Sequence, residues 1–237
     1  AASAPNMTGE TVESMMAAGR YMTPFLNGRD AEDFAALHAE MDWRMVGNHA
    51  AKSMIDMAMH DLVARSRGIP MHALLGEKRR DRVPALWLIG TGSTEGDLNE
   101  AAARKASGFV AFKIKVGAYS PAEDAARSRA ICEVLGAGLL ICADVNQGWT
   151  VEQAIEYVKA MGNAPLDFLE QPVRGDDLAG MAKVAAASRI AIGADEGFHG
   201  VGDIERHHAA GAARGGSLKT IKFGGVRATF EGGCVAH

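Results

Sequence analysis

The sequence predicts a parallel α/β fold arranged as a (β/α) barrel, on three observations. Between residues 109 and 222 an apolar, β-branched run ends in a charged residue five times, at Lys115, Asp144, Glu170, Asp195 and Lys222. The spacings are 29, 26, 25 and 27 residues, one strand-plus-helix unit per step. The stretches between the runs have helical periodicity, and strand alternating with helix calls for parallel pairing through crossovers. In a parallel barrel the C-terminal strand ends open onto one face, so these five side chains would converge there.

Each element has its own local justification. Residues 1–82 read as helical. Asp30 is placed to cap a helix running to about Met45, and His49–Arg67 sets Ala50, Met54, Met57, Ala58, Asp61 and Leu62 at three- and four-residue steps before Gly68 and Pro70. The methionine stripe and His60 within it read as packing. From Val83 the pattern changes to short apolar runs, giving candidate strands Val83–Ile89, Phe109–Lys115, Leu139–Asp144, Leu166–Glu170, Ile190–Asp195 and Leu218–Lys222. The clearest helix is Val151–Met161, where Val151, Ala154, Ile155, Val158 and Met161 share a face. Gly90–Gly96 has GxGxxxG spacing with no acidic strand end about 20 residues on, which argues against a dinucleotide loop. His207 and His208 are expected on the solvated face of an outer helix. Trp149 and Phe198 are expected to pack, with substrate contact as the alternative.

Composition bounds the function. A chain of 237 residues, 48% hydrophobic and 23% charged, is long enough for one large or two smaller cores. A net charge of −4 without a basic run excludes a nucleic-acid footprint and directs attention to small-molecule chemistry. Cys132, Cys142 and Cys234 are odd in number and lack ligand spacing, so buried or inert thiols in a reducing compartment are expected. No apolar stretch approaches the roughly 18 residues of a membrane span, and no signal-peptide pattern opens the chain. The expected setting is cytoplasmic, with no membrane partner.

The charged strand ends carry the chemistry. Lys113 and Lys115 lie two apart on one strand and share a face, while Phe112, Ile114 and Val116 take the other. Taken alone, a pair of this kind suits a solvent-facing edge strand better. A lysine crowded by a second cation and partly desolvated, however, has its charged form disfavoured and becomes a usable general base. Asp144, Glu170 and Asp195 each end a strand; singly, each suits a helix cap or a solvated loop. Together they would repel one another unless a cation stood among them. An all-oxygen set favours Mg²⁺, with Mn²⁺ as the alternative, over zinc.

The segments FKIKVG, ADVNQGW, FLEQPV, GADEG and LKTIKFGG, in this order and spacing, resemble the enolase superfamily, specifically the muconate lactonizing enzyme-like branch of its mandelate racemase/muconate lactonizing enzyme group. AAKSMIDMAMHDL and HALLGEKRRDR resemble the passage from that family's capping domain into its barrel. The resemblance implies a TIM-type barrel domain of about six strands over residues 83–237, incomplete at its C-terminus, after the helical remainder of a capping domain over residues 1–82. It implies that Asp144, Glu170 and Asp195 ligate Mg²⁺, with Asn146 and Glu196 orienting those ligands. Lys115 and Lys222 would act as acid and base on opposite faces of a small carboxylate substrate, and Lys113 would hold the substrate carboxylate and depress the pKa of Lys115. A mandelate racemase type would use a histidine on a later strand, which the Lys222 pattern argues against. The implied reaction removes a proton α to a carboxylate through an enediolate. Racemisation or epimerisation of an amino-acid-like substrate leads; cycloisomerisation and dehydration are the alternatives. An open sheet leaves unpaired edges, so a homo-oligomer is expected. A fragment that folds and self-associates without turnover is the contrasting expectation.

Overall fold

A computed structural model describes residues 2–236, and their packing divides the chain into two units. One comprises Arg82–Gly197 and Glu205–Ser217; the other comprises the first 81 residues, Phe198–Ile204 and the segment from Leu218 onward.

In the first unit the apolar runs form strands β1 (Leu86–Ile89), β2 (Ala111–Lys115), β3 (Leu140–Asp144), β4 (Phe168–Glu170), β5 (Ala191–Ala194) and β6 (Gly215–Gly216). They pair in parallel and in sequence order, β1 to β6. The register sets Lys115 beside Asp144, Asp144 beside Glu170, and Glu170 beside Gly193, so the charged strand ends stand level. Phe112, Ile114, Ile141 and Ala143 are buried, as the alternation on β2 and the continuous run on β3 require. Gly193 lies under the Phe168 ring, where a Cβ would come within 1.6 Å of ring carbon. Only glycine fits there.

The intervening helices begin where capping chemistry permits. Ser93 caps Thr94–Ala106 through the Gly96 N–H, and Asp177 caps Leu178–Ala187 through the Gly180 N–H. Ser120 with Glu123 and Thr150 with Gln153 form reciprocal capping boxes before Pro121–Leu135 and Val151–Met161. The Val151–Met161 helix has the expected bounds and buries Ala154, Tyr157, Val158 and Met161.

The last candidate strand is corrected. Leu218–Lys222 forms no strand: Ser217 N–H donates to Ala194 O, and after Lys219 the chain turns into a helix over Thr220–Phe223. The N–H groups of Lys222 and Phe223 close onto Lys219 O, and Gly224 at φ 84° ends the turn. Ile221 packs against the apolar cluster of the second unit, so tertiary packing overrides the strand preference of Thr220 and Ile221.

The second unit is helical. Its core comprises Met15, Ala18, Met22, Phe34, Leu37, Met41, Ala50, Ala51, Met59 and Val63, drawn from helices Val12–Leu26, Phe34–Arg44 and His49–Arg67. The expected cap moves from Asp30 to Asp33, whose carboxylate accepts the Ala36 N–H; Asp30 instead accepts the Glu32 N–H in the preceding turn. His49–Arg67 has the expected bounds, but Asn48 gives it no side-chain cap. Buried Glu10, about 40 residues earlier, accepts the N–H groups of Ala50 (2.8 Å) and Ala51 (3.0 Å) in its place. His60 is buried, stacks on Phe34 with ring centroids 4.0 Å apart and bonds to Asp56, so it packs as expected. Asp56 also accepts from His38 Nε2 and the Val226 N–H, both at 2.5 Å, which anchors the helix Val226–Ala236.

Candidate functional site

The site grows from the parity of β2. Lys113 and Lys115 project from the same side, because both reach the same carboxylate oxygen: Asp144 Oδ2 accepts Lys115 Nζ at 2.7 Å and Lys113 Nζ at 3.5 Å. Lys113 also donates to Glu170 Oε2 at 2.5 Å. The other oxygens are engaged too, Asp144 Oδ1 by the Asn146 N–H (3.0 Å) and Glu170 Oε1 by the Ser217 hydroxyl (2.7 Å). Asp144, Glu170 and Asp195 are only 2%, 2% and 1% exposed. Lysine and carboxylate therefore meet in a sheltered setting, where charge pairing is strong.

A chain of contacts leads outward from Lys115. Its ammonium donates to Asn146 Oδ1, and Asn146 Nδ2 donates to Glu196 Oε1 at 3.1 Å. Asn146 holds this position from left-handed backbone at φ 48°. Both residues expected to support the ligands are thus joined to the lysine. Glu196 Oε2 is buried and has no hydrogen-bond partner, the environment a cation would relieve.

Burial alone would lower the pKa of Lys113, but the hydrogen bond and charge of Glu170, with Asp144, outweigh it and hold the ammonium above its ordinary range. Lys113 is thus a fixed cation rather than a base. The donor set suits a hard divalent cation: carboxylate oxygen only and buried, with Asp144 and Glu170 level at adjacent strand ends and Asp195 just past the end of β5. Among the described residues no three acidic, histidine or cysteine side chains stand together in a metal-holding cluster; Asp144 and Glu170 are turned to the lysines.

The other sequence expectations fall out differently. Lys222 belongs to the helical unit, is fully buried and sits on the Thr220–Phe223 helix rather than at a strand end. Lys219, passed over in the sequence, has extended backbone at φ −129°, ψ 127° and stands two residues beyond Ser217. Its ammonium approaches Met7 Sδ at 3.5 Å within the helical unit, and Ser217, in the sheet unit, donates to Glu170. Ser217 was missed as well. Trp149 and Phe198 are buried, and Trp149 packs on Tyr157 at 4.8 Å. His207 is not solvated: it lies three residues after Ile204, shares its buried face and reaches Gly197, while His208 is exposed. Cys132 and Cys142 are buried as expected, and burial pushes their thiols up to about 11 and about 12; Cys234 departs from the expectation in being exposed. Among the described residues no helix is long and apolar enough to cross a membrane.

Comparison with known proteins places this geometry. Residues 97–236 match the family described as Enolase C-terminal domain-like, and residues 2–76 match Mandelate racemase / muconate lactonizing enzyme, N-terminal domain. Chloromuconate cycloisomerase of Pseudomonas putida is 32% identical over 223 residues, which is 92% of this chain and 59% of that protein. N-succinyl Arg/Lys racemase of Bacillus cereus superposes with a TM-score of 0.93 at 28% identity, over 99% of this chain and 64% of that one. The dipeptide epimerase of Cytophaga hutchinsonii, solved with Mg and the dipeptide D-Ala-L-Val, gives a TM-score of 0.90 at 29% identity, over 99% of this chain and 63% of that one. The chain spans about three fifths of the length of the curated relatives it matches. Its fold is α/β, of the TIM-type barrel kind of these relatives, with six parallel strands described. The chain belongs to the enolase superfamily, in the mandelate racemase/muconate lactonizing enzyme group.

Proposed function

We propose that this chain carries the acid/base and charge-stabilising machinery for removing a proton α to a carboxylate, as a racemase or epimerase acting on an amino-acid-like substrate. The observation that carries the reading is the Lys113–Lys115–Asp144–Glu170 cluster at the C-terminal strand ends. Such a proton is too weakly acidic for a lysine unless the developing negative charge is stabilised. Asp144, Glu170 and Asp195 would hold Mg²⁺, or Mn²⁺, which supplies that stabilisation when bound. Lys113, kept charged by its carboxylate neighbours, binds and orients the substrate carboxylate. Lys115, partly exposed at the end of β2, gives or takes the proton, and Asn146 with Glu196 fixes its direction.

A second ammonium on the opposite substrate face would return the proton. The resemblance assigns it to Lys222, and Lys219 in the same LKTIK stretch is the other candidate. Loss of exchange on Lys222→Met with retention on Lys219→Ala would support Lys222, and the reverse would support Lys219.

The structural similarity to a racemase and an epimerase supports the leading reaction. Cycloisomerisation is the second reading, supported by the 30–32% identity to cycloisomerases. A dehydratase would use the same first step. A homo-oligomer is proposed as the working assembly, since Leu86 and Leu88 on edge strand β1 are 42% and 50% exposed. Light scattering tests that state.

The deciding experiment has two arms. Calorimetry with Mg²⁺ on the parent and on Glu170→Gln is expected to show binding in the first and loss in the second. Incubation of N-acyl amino acids and dipeptides in D₂O is expected to wash deuterium into the α position. Equal or absent Mg²⁺ binding in both proteins, with no α-exchange, would leave a folded, self-associating chain without turnover.

A further inference from the structure

Gln171 follows Glu170 directly, yet nothing above gives it a task. It is fully buried, and its backbone is left-handed at φ 37°, a conformation that a residue with a side chain keeps only when its surroundings impose it. Every polar group it has is engaged. The N–H groups of Asp195 and Gly197 donate to its Oε1 at 2.9 and 3.0 Å. Its Nε2 donates to Val173 O at 2.8 Å and approaches Met181 Sδ at 3.8 Å. Its main-chain N–H donates to Gly193 O, and its main-chain oxygen accepts the Gln147 N–H, both at 2.9 Å.

These bonds join three strand ends. The Gln147 contact holds the loop after β3, the main chain of Gln171 continues β4 from Glu170, and the side-chain oxygen grips the turn Asp195–Gly197 after β5. Gly175 adds to the grip. Its N–H donates to Gln147 Oε1 at 2.9 Å, and a Cβ there would come within 2.8–2.9 Å of Glu196 and Gly197 backbone atoms. Asp195 and Glu196 lie just beyond the end of β5 at Ala194.

We propose that Gln171 is the positioning residue that fixes Asp195 and Glu196 relative to Glu170, so that separate strand ends present one array of carboxylates. The inference rests on the reading of those carboxylates as Mg²⁺ ligands and their supports, and it deepens that reading. Gln171 touches no reacting atom and acts only through the turn it holds.

The test uses the whole chain with Gln171→Met, which keeps the volume and removes donor and acceptor, and Gln171→Glu, which keeps the acceptor. Amide hydrogen exchange by NMR reads the clamp, and Mg²⁺ calorimetry reads its consequence. In Gln171→Met, protection at Asp195 and Gly197 is expected to fall at least about tenfold while the Ser217 and Ile141 amides keep theirs, and Mg²⁺ affinity to fall about 10–100-fold. Gln171→Glu is expected to retain most of both, and it decides the matter if Gln171→Met does not fold. Unchanged protection at Asp195 and Gly197, or parent-like Mg²⁺ affinity despite a lowered melting temperature, would overturn the proposal. A parent that binds no Mg²⁺ would defeat the ligand reading separately, and the exchange data would still decide whether Gln171 holds the turn.

Discussion

Replacing Arg127 with methionine should be among the most damaging single changes in the sheet unit. The guanidinium is buried between two buried carboxylates: Nη1 donates to Asp97 Oδ2, and Nη2 donates to Asp124 Oδ1 at 2.9 Å and to the carbonyl oxygen of Lys115. The carboxylates in turn hold loops. Asp97 Oδ1 accepts the Thr91 N–H at 2.7 Å, and Asp124 Oδ2 accepts the Gly117 N–H at 2.7 Å. Removing the cation leaves two buried anions with only amide and hydroxyl donors, a change that costs about 3–5 kcal/mol for a broken buried ion pair. Replacing all three residues with apolar ones of similar size removes the desolvation cost together with the attraction but strands the Thr91 and Gly117 N–H groups, so Asp97→Leu/Asp124→Leu/Arg127→Met is expected to be no less stable than Arg127→Met alone. The triple variant should nonetheless lose α-exchange, because the carbonyl of Lys115 and the loops after β1 and β2 would no longer be tied. Urea unfolding followed by circular dichroism, with the slope checked for constancy, measures the stability differences. A cost below about 1 kcal/mol for Arg127→Met would refute the reasoning, since it would place the triad in an environment that screens charge like water.

Three further outcomes are expected. Glu10→Ala removes the side-chain acceptor of the Ala50 and Ala51 N–H groups and should cost about 2–4 kcal/mol at one to two kcal/mol per stranded donor, read as a drop in the urea midpoint. For Asp56, burial alone would raise the pKa, but bonds from His38, His60 and the Val226 N–H hold it well below its ordinary 3.8; for His60, burial is outweighed by Asp56 and the pKa is raised above 6.5, against a lowering by Arg227. The His60 contribution is whole below pH 6.5 and fades as pH rises above it, and the Asp56 contribution is whole above pH 3.8 and fades below it. The helical unit should therefore unfold at lower urea at pH 8 than at pH 5.5, and Asp56→Asn should flatten the profile; a parent midpoint that rises toward pH 8 would contradict the sign. Iodoacetamide at pH 8 should label Cys234 and spare Cys132 and Cys142 until the chain is unfolded, and mass spectrometry of the native protein counts the adducts.

Much of the molecule follows from local rules. A residue's place in a βα unit depends on short-range periodicity, so Lys115, Asp144 and Glu170 could be set level from spacing alone, and parity placed Lys113 with Lys115. Helix starts with a serine or threonine and a partner three residues on were equally local, as at Ser120 and Thr150. Where the cap came from far away, at Glu10 for the His49–Arg67 helix, nothing nearby announced it. The stretch LKTIK shows the other limit: its strand-like composition lost to packing of Ile221 and burial of Lys222, which takes Lys222 off the strand end where it is expected. His207 was read as solvated because its neighbours are polar, yet its helical phase with Ile204 buries it.

The sequence by itself determined the order and period of the strands and the charges at their ends, because those depend on contacts between residues a few positions apart. Only the tertiary structure decided what those charges touch. Lys113 is a cation pinned by Glu170, and Ser217 and Gln171 serve the carboxylates, because hydrogen bonds across 24 to 57 residues form only when the strands lie side by side.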